Sequence, residues 1–264
     1  MNIGIIGLGV VGNAVKHGLE KIGHTVLVFD IKHPETKLEH VLDTELTFVS
    51  VPTPCTEDGA CDTRIVEQIV HELQRENYRG LTVIKSTVTP GTTDRLIKET
   101  GLRVAFCPEF LRERAAYTDF VENHDVCVVG TYDQKAFDLV RAAHGPLPKK
   151  IIHLTPIEAE LCKYFANIFN ALRITFANEF YDVAMTLGAD YTRIKNAMVN
   201  RANITDVYLD CNENFRGFGG VCLPKDTQAF AVFVKTMGLN LTLFETLVEE
   251  NKKFKRTIHE GMRE

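Results

Sequence analysis

The chain opens on an apolar run, Asn2–Ile6, that ends in Gly7, Gly9 and Gly12; apolar residues then recur at helical spacing through Val15, Leu19 and Ile22 until Gly23. A second, β-branched run, Thr25–Phe29, closes on Asp30. In order, these predict a strand, a glycine turn, a helix, a strand and an acid. Further strand-like runs lie at 46–51, 81–86, 103–107, 126–129 and 150–154, with helical patterns between several of them at 63–76, 92–99 and 134–143. Such alternation predicts an α/β fold with a doubly wound, mostly parallel sheet covered on both faces.

Strand signals stop after Leu154. Thr155, Pro156 and Glu158 supply an N-cap, a proline at the first helical position and a glutamate that reaches back. A long helix is expected over 155–187, ending near Gly188, followed by helices at 192–199, 225–237 and 241–256. Two domains follow: 1–154, and an all-helical 155–264 with a long central helix. Phe165, Ile168, Phe169, Leu172, Ile174, Phe176 and Phe180 place apolar surface on more than one side of that helix, so a homodimer through 155–187 is expected.

At 264 residues and 45% hydrophobic content the chain has enough apolar material for such a core. Its formal net charge is -5 and no segment concentrates Lys and Arg, which argues against nucleic-acid or anionic-membrane partners. The apolar opening lacks a basic leader, and no run reaches the roughly 18–20 apolar residues of a membrane span, so a soluble, cytoplasmic protein is expected. Seven cysteines, odd in number and scattered, read as reduced thiols. Cys55 and Cys61 flank one loop, but no pair or histidine cluster completes a zinc site, and no metal is expected.

The glycine spacing alone is a weak motif, but its place between a strand and a helix makes it specific. Gly7 permits the tight turn, Gly9 lets a pyrophosphate approach the backbone N–H groups that Val10 and Val11 present at the helix start, and Gly12 allows close packing. Asp30 falls where a carboxylate accepts ribose hydroxyls and repels a 2′-phosphate. This is a Rossmann pattern that favours NAD over NADP. Far along the chain, Cys222 follows Gly217, Gly219 and Gly220 and precedes Pro224, Lys225 and Asp226. A thiol beside a helix N-terminus and a lysine favours thiolate; the other six cysteines lack such surroundings.

The motifs at Gly7 to Gly12, Val51 to Pro54, Lys85 to Val88 with Pro90 to Thr92, Pro108 to Glu113, Glu160 to Glu179 and Gly217 to Asp226 together resemble the UDP-glucose and GDP-mannose 6-dehydrogenase family. The resemblance implies NAD-dependent oxidation of a nucleotide sugar such as UDP-glucose at its primary alcohol, giving the uronic acid. Cys222 matches the nucleophile that carries a thiohemiacetal and then a thioester. Lys163 and Asn167, four apart on one helix face, match the pair supporting the reacting oxygen, and Asp226 the carboxylate that positions water. Glu109 matches a residue of thioester hydrolysis; Thr53, Thr87 and Glu113 match positions beside the cofactor. Phe110, Leu111, Phe215, Gly219 and Lys225, with Glu109, Glu113, Lys163 and Asn167, fall on the substrate side. Phe110-Leu111 and Lys225-Asp226 resemble the glucose and mannose branches more than the N-acetylhexosamine branch.

Two departures stand out. Family members continue into a third domain that closes over the nucleotide, whereas this sequence stops at Glu264, and Glu35 occupies a place where relatives often carry a basic residue. Three readings remain open: a short sugar-nucleotide dehydrogenase, a related enzyme acting on a smaller alcohol, and a non-catalytic NAD-binding interaction protein. Retention of Thr87, Glu109, Lys163, Asn167, Cys222 and Asp226 together weighs against the last.

Overall fold

The computed structural model describes residues 1–255 and 257. They divide into two compact units, residues 1–56 with 61–163, and residues 57–60 with the described residues from 164 on, so the division falls inside the long helix.

The first unit is built on a seven-stranded sheet. Its strands are β1 (Asn2–Ile6), β2 (Thr25–Phe29), β3 (Leu46–Val49), β4 (Leu81–Ile84), β5 (Val104–Phe106), β6 (Val126–Gly130) and β7 (Lys150–Leu154), in the order β2-β1-β3-β4-β5-β6-β7. All neighbours run parallel except β5 and β6, which meet antiparallel with Phe106 opposite Gly130. Ile3, Ile5, Leu46, Phe48, Leu81 and Val83 are wholly buried, as continuous apolar runs must be when helices cover both faces of a sheet. The chain leaves β1 outward to β2 and crosses back to β3, so the strand order reverses at β1. A crevice at the carboxyl end of β1 is the usual ligand site of such a sheet.

Helices α1 (Val10–Lys21), α2 (Arg64–Arg75), α3 (Thr92–Thr100) and α5 (Gln134–His144) lie close to the expected bounds. Each buries one stripe; in α2 it is Val66, Ile69, Val70 and Leu73. A short helix, α4 (Ala116–Val121), has no counterpart in the sequence reading. It wedges wholly buried Phe120 against Gly18 of α1, where a β-carbon would stand 2.4 Å from the ring.

Helix α6 runs unbroken over Pro156–Thr186. Its start is the expected capping arrangement: Glu158 accepts from the Thr155 backbone N–H at 2.8 Å and from the Thr155 hydroxyl at 2.6 Å. In the second unit follow α7 (Tyr191–Met198), whose N-cap Asp190 accepts from Arg193 N, then α8 (Cys222–Thr236) and α9 (Leu243–Lys252). Helix α8 begins three residues before the expected Lys225, because a proline in the first turn blocks no intrahelical hydrogen bond. The helix expected over 241–256 is shorter, Leu243–Lys252, and the last residue of that expectation, Arg256, lies outside the described residues.

Apolar side chains remain exposed along α6, among them Phe165, Phe169, Phe176, Phe180 and Val183. Among the described residues no helix is long and apolar enough to cross a membrane.

Candidate active site

In the first unit the glycine turn follows β1. Gly7 sits at φ +93°, donates its N–H to Phe29 O at 2.9 Å, and has no room for a β-carbon, which would fall 2.5 Å from Ser50 O. Gly12 is as tightly held: a β-carbon there would lie 1.9 Å from the Gly7 carbonyl oxygen. Gly9 differs. It is the N-cap of α1 at φ −73°, and a β-carbon on it would meet nothing within 4 Å. The chain's own packing does not require glycine at position 9, whereas backbone N–H groups approached by a phosphate do.

Asp30, at the end of β2, closes on this turn. Its Oδ2 accepts from Leu8 N at 2.6 Å and its Oδ1 from Lys32 N at 2.7 Å. Burial works against its charge, but these two backbone donors outweigh it and hold the carboxyl below its ordinary range. An anion is thus fixed where a dinucleotide's ribose belongs in this fold. Val10 and Val11 open α1 beside it, and Thr53 is buried beyond β3.

The segment after β5 carries Glu109, Phe110, Leu111 and Glu113. Glu109 is 7% exposed; its Oε1 accepts from Phe110 N at 3.1 Å and its Oε2 lies 3.2 Å from the ammonium of Lys85. The Lys85 side chain is 1% exposed, and its Nζ also donates to Cys107 O at 3.2 Å. Burial opposes the Lys85 charge, yet Cys107 and Glu109 beside it raise its hold on the proton. Losing one partner of such an enclosed pair costs about 3–5 kcal/mol, so each fixes the other. Sequence reading placed Lys85 in a motif but gave it no role. Lys163, on the first turns of α6, donates to the Glu109 carbonyl at 2.6 Å and lies over the Phe110 ring at 5.8 Å. Thr87 follows β4, its carbonyl accepting from the Cys61 thiol at 3.5 Å. Glu160 anchors the next turn: it accepts from Gly91 N, Thr93 N and the Thr93 hydroxyl at 2.5, 2.8 and 2.6 Å, with Gly91 left-handed at φ +95°.

In the second unit Cys222 is the first residue of α8 and is exposed. One turn on, Asp226 is wholly buried; its Oδ1 takes the Lys225 ammonium at 2.5 Å and its Oδ2 the Asn167 amide at 2.6 Å. Both carboxylate oxygens are therefore engaged, and Asn167 is oriented by one of them. The loop ahead of Cys222, which includes Phe215 and buried Gly219, hangs from two side-chain amides that sequence reading missed. Asn178 of α6 accepts at Oδ1 from Arg216 Nε at 2.7 Å and Gly217 N at 3.1 Å. Asn251 of α9 accepts from Phe218 N at 2.7 Å and donates to Phe218 O at 2.9 Å, imitating a neighbouring strand.

Residues 157–253 match the model of the UDP-glucose/GDP-mannose dehydrogenase family central domain, and residues 33–147 that of the family's NAD binding domain. The chain belongs to this family. The first range contains Lys163, Asn167, Cys222 and Asp226 and the second contains Thr87 and Glu109, while the glycine turn and Asp30 precede both. A solved UDP-glucose dehydrogenase from Pyrobaculum islandicum superposes with a TM-score of 0.85 at 31% identity, over 96% of this chain and 68% of that one. The UDP-glucose 6-dehydrogenase of Haloferax volcanii is 28% identical over 95% of this chain and 69% of its own length. GDP-mannose 6-dehydrogenase of Pseudomonas aeruginosa is 27% identical over 95% and 68%.

Proposed function

We propose that the protein oxidises the primary alcohol of a nucleotide sugar, of the UDP-glucose kind, to the uronic acid, with Cys222 as covalent nucleophile. The observation that carries this reading is Cys222 itself, exposed at the head of α8 while Asp226, one turn on, is buried and tied to Lys225 and Asn167. It is supported by relatives that are named UDP-glucose and GDP-mannose 6-dehydrogenases.

NAD, held by Gly7, Gly9, Gly12, Val10, Val11 and Asp30 with Thr53, Thr87 and Glu113 beside it, supplies the hydride acceptor. The open space at Gly9 and the carboxylate of Asp30 fit it. The remaining work belongs to side chains. The Lys163 ammonium and the Asn167 amide stabilise negative charge as it gathers on the sugar oxygen. Loss of a hydride from the carbon and of the hydroxyl proton turns the alcohol into an aldehyde. The Cys222 sulfur adds to the aldehyde carbon and its proton passes to the oxygen, giving a thiohemiacetal, and loss of a second hydride and of the new hydroxyl proton gives the thioester. Water then adds to the thioester carbon, the carbon–sulfur bond breaks, and acid and thiol are released. Glu109, held in place by Lys85, assists that hydrolysis, and Asp226 acts through the Asn167 amide it orients. Phe110, Leu111, Phe215, Gly219 and Lys225 line the sugar's side. Two copies pair through the exposed apolar stripe of α6.

Incubation with NAD and either UDP-glucose or GDP-mannose, followed by NADH absorbance, tests the reading. Two NADH per sugar are expected, with no acid formed by Cys222→Ala. One NADH per sugar with an active Cys222→Ala variant would mean simple alcohol oxidation instead.

A further inference from the structure

Away from the glycine turn, the first unit encloses a cluster that the proposed reaction does not use. Cys107, just beyond β5, and Cys127, in β6, are 0% and 1% exposed, and the antiparallel meeting of their strands brings the sulfurs to 3.7 Å. His144, the last residue of α5, is also wholly buried. Its Nδ1 lies 2.9 Å from the Val140 carbonyl. A carbonyl only accepts, so Nδ1 carries a proton, and in the neutral ring that a metal binds the lone pair is on Nε2. That Nε2 is buried and makes no hydrogen bond of standard geometry. A ring nitrogen of His144 and the two sulfurs all lie within 4.8 Å of one another.

The geometry points to a thiophilic divalent metal site, of the zinc(II) kind, at Cys107, Cys127 and His144. Sulfurs bonded at about 2.3 Å to a tetrahedral ion stand about 3.8 Å apart, close to the separation already present. The Val140 contact is the outer-shell hydrogen bond that metal-bound histidines habitually make, and it leaves Nε2 as the nitrogen available to an ion. The Lys85 ammonium, 3.6 Å from the Cys107 sulfur, favours the thiolate that a metal requires. Charge also closes: an ion of charge +2 displaces two thiol protons, and Lys85 is already matched by Glu109. The fourth ligand would be His124, whose Nδ1 is buried without a partner and whose ring is 5.8 Å from that of His144. The four residues then form a Cys2His2 set, a common composition of closed structural zinc sites.

The full-length protein, reduced and incubated with zinc(II) and then freed of unbound ion, should retain about one zinc per chain by elemental analysis. The Cys222→Ala variant should retain the same amount, and Cys127→Ala and His144→Phe almost none. Cobalt(II) in place of zinc should give the near-ultraviolet absorption of thiolate-bound cobalt in the wild type, and it should vanish in Cys127→Ala. Should either cluster variant fail to fold, the wild type decides: zinc should slow alkylation of Cys107 and Cys127 in mild denaturant and leave that of Cys61 unchanged. No zinc retained, equal retention in Cys127→Ala, or unaltered alkylation would overturn the site. None of these measurements depends on turnover, so their failure is distinct from failure of the dehydrogenase reading.

Discussion

Replacing Gly9 and Gly12 by alanine, one at a time, separates what the glycine turn does for the fold from what it does for a cofactor. At Gly12 the added carbon would lie 1.9 Å from Gly7 O and 3.0 Å from Gly7 C, both backbone atoms that cannot rotate aside. Helix α1 must then move away from β1, which places the cost at or above the top of the usual overpacking range, ~3 kcal/mol. In a chain of this size that lowers the melting midpoint by about 6–12 °C. At Gly9 the carbon meets nothing within 4 Å and the backbone angles are open to alanine, so stability should stay within ~0.5 kcal/mol. The methyl group would instead hold a pyrophosphate off the helix N-terminus. Losing one charge-assisted hydrogen bond of about 1.5–3 kcal/mol weakens NAD by roughly 10- to 150-fold. Thermal unfolding by circular dichroism without cofactor, and calorimetric titration with NAD, read the two effects separately. Wild-type NAD affinity in Gly9→Ala, or a wild-type melt in Gly12→Ala, would refute the respective half of the reasoning.

Asp30→Asn keeps an acceptor for Leu8 N while removing the charge, so the preference for NAD over NADP should shrink chiefly through tighter NADP binding; titration of both cofactors checks this. The Arg112 guanidinium and backbone hold Asp119 at about 2, well under the ordinary value of about 3.9 for an unfolded chain. Its folded pKa is depressed, so its contribution is fully present above about pH 5 and is lost as pH falls through 4 towards 2; the stability gap between wild type and Asp119→Asn in urea melts should close over that window. Phe165→Glu with Phe169→Glu, both at exposed positions on α6, should leave secondary structure intact and convert a dimer to monomer in sedimentation, whereas an unchanged oligomeric state would remove α6 from the interface.

All seven strands and every long helix were legible in the sequence, because a sheet buried on both faces leaves uninterrupted apolar runs and an amphipathic helix leaves a regular stripe. Helix α4 escaped because six residues are too few to show a period, and its identity rests on Phe120 meeting Gly18, a contact between distant positions. The early start of α8 was hidden by reading Pro224 as the entry to the helix when it sits within the first turn. For the candidate site, residues inside short motifs could be named, since the glycine turn and the segment around Cys222 each carry their chemistry locally. What could not be read were partnerships made by the fold: Lys85 with Glu109, Asn167 with Asp226, Cys107 with Cys127. Cys107 and Cys127 in particular read as isolated apolar thiols until β5 and β6 run antiparallel.

The clasp of Asn251 on Phe218 has a consequence for how the protein is made. The loop leading into Cys222 borrows a donor and an acceptor from a side chain that a ribosome adds well after the cysteine itself. Until α9 has emerged and docked, Phe218 has neither of those partners and the loop ahead of Cys222 lacks that anchor. The first unit can collapse on its own sheet early in synthesis, but the thiol is set in place only near the end. A half-made chain therefore holds the glycine turn before it holds Cys222 in its final setting.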